Sequence, residues 1–459
     1  MQQPIPDDQK ESRGDARTPA ILASLRSNLE TGAVDAVREL AEGLKAPDLA
    51  DLIELLTPDE RVQIINVLGP DLDPEVISEL EPSVRDQLSE ALPNDVLARI
   101  LTALDSDDAA YVIESLEDED KQDVLAQMSS SDRAAIEKNL EYPEETAGRL
   151  MQTDFVAVPQ FWTVGQLIDH MRETEDLPET FSDIFVVDPS YRVLGSVDLS
   201  RLLRSKRQVG IDTIMDADRH VVLATSDQEE MARQFERYDL RSAPVVDVND
   251  RLVGVVTVDD VVEVIEEETE EDLRRLSGLG DESLADSVIP TVKSRFLWLF
   301  INLGTALLSS SVIQLFDASI NQMVALAVLM PIVASMGGNA GTQTMTVAVR
   351  ALATRDLGPA NKARVILRET SVGLINGLVF GVLMGLIVLC WFGIGKLGLV
   401  IAAAMIFNLL SAALAGILIP LTVNRFGFDP AVSSGVFVTT VTDVVGFFAF
   451  LGLATLFLL

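Results

Sequence analysis

Hydrophobic and polar positions follow three different periods along this chain of 459 residues. From about Thr18 to Leu140, apolar residues recur at i, i+3 and i+4 in short segments, the spacing that gives a helix one oily face. "LTPDERVQIINVL", "LEPSVRDQLSEAL" and "LEDEDKQDVLAQM" each open on a leucine and a polar start signal and continue as such a stripe. Acidic, often proline-containing turns separate them, so residues 18–145 are predicted to form stacked short helices, a small superhelix with its acids on solvated faces. Residues 1–17 are polar and lack an apolar period; they read as a disordered tail with no signal-peptide core.

Between about Thr146 and Glu267 the period shortens to that of strands. "FVVDPSYRVLGSVDLSRLL" and "PVVDVNDRLVGVVTVDDVV" align at an offset of 59, which sets Asp188 on Asp247 and Gly195 on Gly254. Each copy reads as strand, turn, strand and helix start. Each is preceded by an amphipathic helix and a Met-containing lead, "RLMQTDFVAVP" or "TIMDADRHVVLA". Two β-α-β-β-α units are therefore predicted, over residues 146–206 and 207–267. A charged helix from about Val261 to Leu276 follows, and residues 268–290 read as a connecting helix running into a joint at Gly278 and Gly280.

The third pattern is long and apolar. Five runs are each long enough to cross a bilayer: about Phe296–Phe316, Met323–Val349, Thr370–Gly395, Leu397–Val423 and Ala431–Leu459. The loop between the second and third carries Arg350, Arg355, Lys362, Arg364 and Arg368, which places it in the cytoplasm. Two crossings put Lys293 and Arg295 on the same side, so the N-terminal half is expected inside and the C-terminus outside. The fold class is thus a multidomain membrane protein with a five-helix domain over residues 291–459.

Charge sharpens this division. From Thr291 onward there are nine Lys/Arg and five Asp/Glu; before it there are 26 and 66, a net charge of −40. Such acidity argues against nucleic acid as a partner and is compatible with cation binding or simply with a solvated surface. The one cysteine, Cys390, lies in an apolar run, so no disulfide framework is expected.

Within the membrane runs, Asp443 stands alone in the uncharged stretch from Ala431 to Leu459. A carboxylate at mid-bilayer costs ~3 kcal/mol on insertion scales, so it is expected either to be hydrogen-bonded to a neighbouring helix through Thr or Asn side chains, a reading that Thr439, Thr440 and Thr442 favour, or to line a hydrated path for a cation. In "LMPIVASMGGNAGTQTMTVAVR", Gly337, Gly338 and Gly341 surround Asn339, with Gln343 after. Glycines there permit close packing or break a helix and expose carbonyls. Asn376 and Asn408 are weaker polar signals. The absence of a His or Cys cluster argues against a dedicated zinc or copper site, and oxygen ligands suit Mg2+.

"PIVASMGGNAGTQT" and "FDPAVSSGVFVTTVTDVVG" resemble the signature of the MgtE family of magnesium channels and transporters. The order of parts agrees over essentially the whole chain, and the repeated units resemble a tandem pair of CBS domains. The resemblance implies a homodimer in the plasma membrane, with a pore between the second and fifth membrane helices of both subunits. Asp443 would be the pore aspartate; Gly337, Gly338 and Asn339 would lie toward its cytoplasmic end, and Asp429 at the mouth. It further implies a cytosolic Mg2+ sensor that holds the pore shut, with Asp107, Asp239, Asp260, Glu263, Glu268, Glu271 and Asp272 as metal ligands. Tyr111 departs from the family, which often has an acid there. Thr257 and Asp260 match positions where nucleotide-binding CBS units meet ribose, so an adenine nucleotide such as ATP is a candidate ligand; the first copy has Asp198 and Arg201 instead. The expected function is a Mg2+-selective channel without enzyme activity, there being no Walker-type phosphate loop. A proton- or Na+-coupled transporter of divalent cations and a non-transporting CBS sensor are the alternatives.

Overall fold

The leucine that opens each N-terminal segment is an anchor: Leu56, Leu80 and Leu116 are all buried two residues before a helix begins. In the computed structural model, which describes residues 8–174, 177–178, 180–277, 279, 288–354, 357–358 and 361–459, the chain divides into Met1–Glu268 and Thr269–Leu459. The joint at Gly278 and Gly280 and the loop residue Arg355 lie outside the described residues.

The first part of Met1–Glu268 is helical: α1 (Asp8–Thr31), α2 (Val34–Glu42), α3 (Ala46–Glu54), α4 (Pro58–Leu68), α5 (Glu75–Ser78), α6 (Pro82–Ala91), α7 (Asn94–Ala103), α8 (Ser106–Ser115), α9 (Asp118–Gln127) and α10 (Ser130–Leu140). Thr57 and Glu60 form a reciprocal capping box at α4, and Pro58 sits where its missing N–H is not needed. Leu25, Ile53, Ile64, Leu88, Leu97, Ile113 and Val124 share one core. Helix α1 starts at Asp8, inside the stretch expected to be disordered. Once the turns around Leu22 and Leu25 are anchored, each further residue needs to fix only itself, so the helix extends backward through polar sequence.

Both predicted repeats are present. The first contains β1 (Ala157–Pro159), α11 (Val164–Glu173), β2 (Asp183–Val187), β3 (Val193–Asp198) and α12 (Leu199–Leu203), followed by α13 (Ile211–Ile214). The second contains β4 (Val222–Leu223), α14 (Gln228–Tyr238), β5 (Ser242–Val246), β6 (Leu252–Thr257) and α15 (Val258–Leu276). Each sheet pairs its first two strands parallel and its last two antiparallel. The hairpin registers, Asp183 on Asp198 and Ser242 on Thr257, keep the offset read from the sequence, as do the left-handed turn residues Tyr191 and Asp250. The segments where the Met-containing leads begin, however, are exchanged, while Val156, Val158, Val222 and Ala224 stay in the cores of their own repeats. Ala147 and Met151 pack in the core of the second repeat, and Ile211 and Ile214 in that of the first. This explains the aligned glycines. A Cβ on Gly195 would lie 2.0 Å from the Asp216 carbonyl oxygen, and one on Gly254 2.6 Å from Met151 Sδ. Sequence boundaries at 206 and 207 therefore do not coincide with the spatial cores.

The remainder contains α16 (Val288–Gln314), α17 (Asp317–Gln322), α18 (Ala325–Ala353), α19 (Lys362–Phe392), α20 (Gly395–Arg425) and α21 (Pro430–Phe457). All but α17 are long and apolar enough to cross a membrane, which matches the five predicted runs. Helix α17 is too short and polar to register in a search for spans. The antiparallel pair α19 and α20 meets along a ladder of Gly373, Gly377, Gly381 and Gly385, one per turn. A Cβ on Gly381 would stand 2.7 Å from the Ala402 carbonyl oxygen, so the backbones touch where lipid supplies no hydrophobic driving force. Cys390, an exposed free thiol, lies near the end of α19.

Candidate functional site

Helix α21 buries Ser434, Val438, Thr442, Gly446, Phe450 and Ala454, one residue per turn, against its neighbours. Asp443 follows Thr442 and so sits at the edge of this stripe, half-buried. Thr439 donates to the Gly435 and Val436 carbonyls, Thr440 to the Val436 carbonyl and Thr442 to the Thr439 carbonyl, all within the helix. These three threonines are thus committed to their own backbone, and none of them holds Asp443. Among the described residues the Asp443 carboxylate has neither a hydrogen bond nor an ion pair.

Helix α18 runs unbroken through the glycine segment, so the expected exposure of carbonyls does not occur; the glycines serve close approach. Gly337 and Gly341 are buried. A Cβ on Gly341 would lie 2.6 Å from Val438 Cγ1 of α21 and 3.8 Å from Ala412 Cβ of α20. Gly338 differs, since a Cβ there would meet nothing within 4 Å. Asn339, Thr342, Gln343 and Thr346 form an exposed polar stripe on a helix otherwise made for lipid. Asn376 is exposed, whereas Asn408 is fully buried and donates to the Val333 carbonyl at 2.7 Å. Glu369 is buried in the first turns of α19 beside Arg368, at 3.7 Å, just before the predicted start of the run.

Asp429 caps α21: its Oδ1 accepts from the Ala431 N–H at 2.8 Å. Its Oδ2 accepts from Arg275 Nη1 at 2.7 Å, and Arg275 also pairs with Glu271 four residues earlier. Two of the predicted metal-binding acids, Glu271 and Asp429, therefore share one guanidinium that the sequence reading does not single out.

In Met1–Glu268, Asp107 and Asp108 of α8 face Asp260 and Glu263 of α15. Burial, reinforced by Asp260, pushes Asp107 well above the carboxylate range and Asp108 up to about 7. Burial likewise raises Asp260 to about 6, although Thr257 Oγ1 donates to its Oδ2 at 2.6 Å, and Glu263 to about 7 with Asp260 as its main repelling neighbour. Asp107 Oδ1 is buried without a hydrogen-bond partner. Among the described residues no three His, Cys, Asp or Glu side chains converge closely enough to hold a metal ion. Tyr111, where the family often has an acid, instead carries the Arg85 guanidinium 3.6 Å above its ring. Glu268 accepts from Gln228 Nε2 at 2.8 Å, and burial raises its pKa. Asp239 lies apart from Asp107 and Asp260, in a cleft that Asp183, Asp198, Asp216, Arg219, His220, Tyr238 and Arg241 also line. The rings of His220 and Tyr238 stand 4.4 Å apart there. Thr257 and Asp260 do not line this cleft; Asp198 does.

Residues 44–145 match the MgtE intracellular N domain, 147–207 and 211–267 match CBS domains, and 330–453 match the MgtE divalent cation transporter domain. The chain is 32% identical over 325 residues to the magnesium transporter MgtE of Bacillus subtilis, covering 71% of this chain and 72% of that protein. Identity to the magnesium transporter MgtE of Thermus thermophilus is 36% over 330 residues, 71% and 73% of the two chains. A crystal structure of the cytosolic domain of the Mg2+ channel MgtE in complex with ATP is similar over 53% of this chain and 99% of that one, at 33% identity and a TM-score of 0.49. An acidic helical domain, paired CBS units and five long apolar helices thus occur in one chain with two curated relatives above 30% identity, and the chain belongs to the MgtE family.

Proposed function

We propose that the chain is a Mg2+ channel of the plasma membrane, a transporter without enzymatic activity. It works as a homodimer with its N-terminal half in the cytoplasm and its C-terminus outside. The observation that carries this is Asp443, a carboxylate midway along a membrane helix that pairs with no other side chain among the described residues. An anion so placed needs a hydrated path or a cation. The polar stripe of α18 that ends an otherwise apolar face supports a water-lined path there. Ligands that are carboxylates and amides suit a largely hydrated, hard ion. Eight of the nine Lys/Arg after Thr291 fall on the side assigned to the cytoplasm, leaving Lys396 outside.

Regulation is assigned to the acids of the cytosolic half. Asp107, Asp108, Asp260 and Glu263 repel one another when packed, and a divalent cation among them would relieve that repulsion and favour the packed state by linkage. Glu268, Glu271 and Asp272 extend the acidic set along α15. The cleft of His220 and Tyr238 fits an adenine nucleotide in part: the neighbouring rings offer a surface for a base and Asp198 or Asp216 an acceptor for ribose. Its acids require a cation beside the phosphates.

The test is Mg2+ flux into liposomes by purified full-length protein, with a proton gradient on or off. Flux is expected regardless of the proton gradient, and Asp443→Ala is expected to reduce it about a hundredfold or more at unchanged elution volume. Normal flux from Asp443→Ala would sink the assignment, and strict dependence on the proton gradient would make the protein a coupled transporter.

A further inference from the structure

Asn408, midway along α20, presents its amide to a slot between two glycines of different helices. A Cβ on Gly337 of α18 would stand 2.2 Å from Nδ2 and 2.8 Å from Oδ1, and a Cβ on Gly446 of α21 would stand 2.9 Å from Nδ2. Those separations lie inside van der Waals contact, so only glycine fits either position while the amide is present. The Nδ2 donates to the Val333 carbonyl, one turn before Gly337, while Oδ1 has no hydrogen-bond partner among the described residues. Gly337 adjoins Gly338 and Asn339, and Gly446 lies three residues beyond Asp443. A helix that carries none of the candidate ion ligands therefore reaches both helices that do.

We propose that Asn408 is a positioning residue for ion passage, a role that presupposes the ion path proposed above. The two-glycine slot sets the separation of α18 and α21, and the bond to Val333 sets the height of the Gly338–Asn339 segment relative to Asp443. An amide with an unmet oxygen is a poor choice for filling space alone. The hydrogen bond is what this position supplies and an aliphatic side chain cannot.

Full-length protein tests this in two ways. Asn408→Leu keeps the bulk and removes the bond. At unchanged elution volume it is expected to raise the Mg2+ concentration for half-maximal flux about tenfold and to narrow the preference for Mg2+ over Ca2+. A variant with wild-type values for both overturns the proposal. Independently of transport, Gly337→Ala is expected to lower Tm in detergent, and adding Asn408→Ala to recover more than half of that loss, because the new methyl then enters vacated space. Additive Tm losses overturn the slot. If the wild type passes no Mg2+ while the two substitutions still compensate, the ion path and the positioning role fall together and only a packing slot stands. Normal wild-type flux with additive losses and an unaltered Asn408→Leu overturns this inference alone.

Discussion

Asp429 shows how much one carboxylate can be asked to do. One oxygen closes the N-terminus of α21 and the other holds Arg275, which also holds Glu271. The two tasks separate by substitution. Asn keeps the cap and loses the ion pair, whereas Ala loses both, so Asp429→Ala should be less stable than Asp429→Asn by about 1 kcal/mol in thermal melts. Both should weaken the proposed cation binding at the mouth, read as a higher Mg2+ concentration for half-maximal flux. Asp443 is legible from sequence because an acid stands out against an uncharged run. Arg275 is not, because a basic residue at the end of a charged helix has many ordinary partners and only the fold selects one. Glu369 escapes for a simpler reason: the sequence ranks it as the edge of a polar loop, whereas the helix starts at Lys362 and carries it two turns inward.

Helix packing in the membrane half turns on which glycines face a neighbour. The spacing of Gly373, Gly377, Gly381 and Gly385 announces a close contact, but only the fold shows that α20 is the partner. Within "MGGNAG" the sequence cannot separate structural from open glycines, and the helix does so by phase. Gly341→Ala puts a methyl 2.6 Å from Val438 Cγ1 and should cost 1–3 kcal/mol, about what overpacking costs elsewhere. Gly338→Ala meets nothing within 4 Å and should leave Tm unchanged or slightly higher, since alanine favours a helix over glycine by ~1 kcal/mol. Reduced flux in a fully stable Gly338→Ala would mark the open side of α18 as the conducting one. Five spans, two repeats and their register are thus readable in the pattern. The short α17, the unbroken α18 and the partner of each glycine are not, because they depend on contacts remote in sequence.

At the scale of the molecule, the sequence already separates an acidic half from an apolar one, and the fold shows where that acidity is concentrated. Between the ordinary values of 3.8 for Asp and 4.5 for Glu and about 7, the packed acids of α8 and α15 hold more protons than the unfolded chain does. The contact is therefore most stable at low pH, loses stability as pH rises through that window, and stays weakened above it. Hydrogen exchange of α8 amides in the full chain should be slower at pH 5 than at pH 8 after correction for intrinsic rates, and saturating Mg2+ should abolish the difference. Equal protection at both pH values without Mg2+ would place the acids in separate, solvated sites. The exchanged segments of the CBS pair carry a different consequence. Each repeat keeps a piece of its own core in the other's keeping, so neither 146–206 nor 207–267 is a complete folding unit when cut at those bounds. The two interlock like linked hands, and a ligand that tightens one half draws on a segment the other half holds. Whatever the cleft senses, the pair answers as one body.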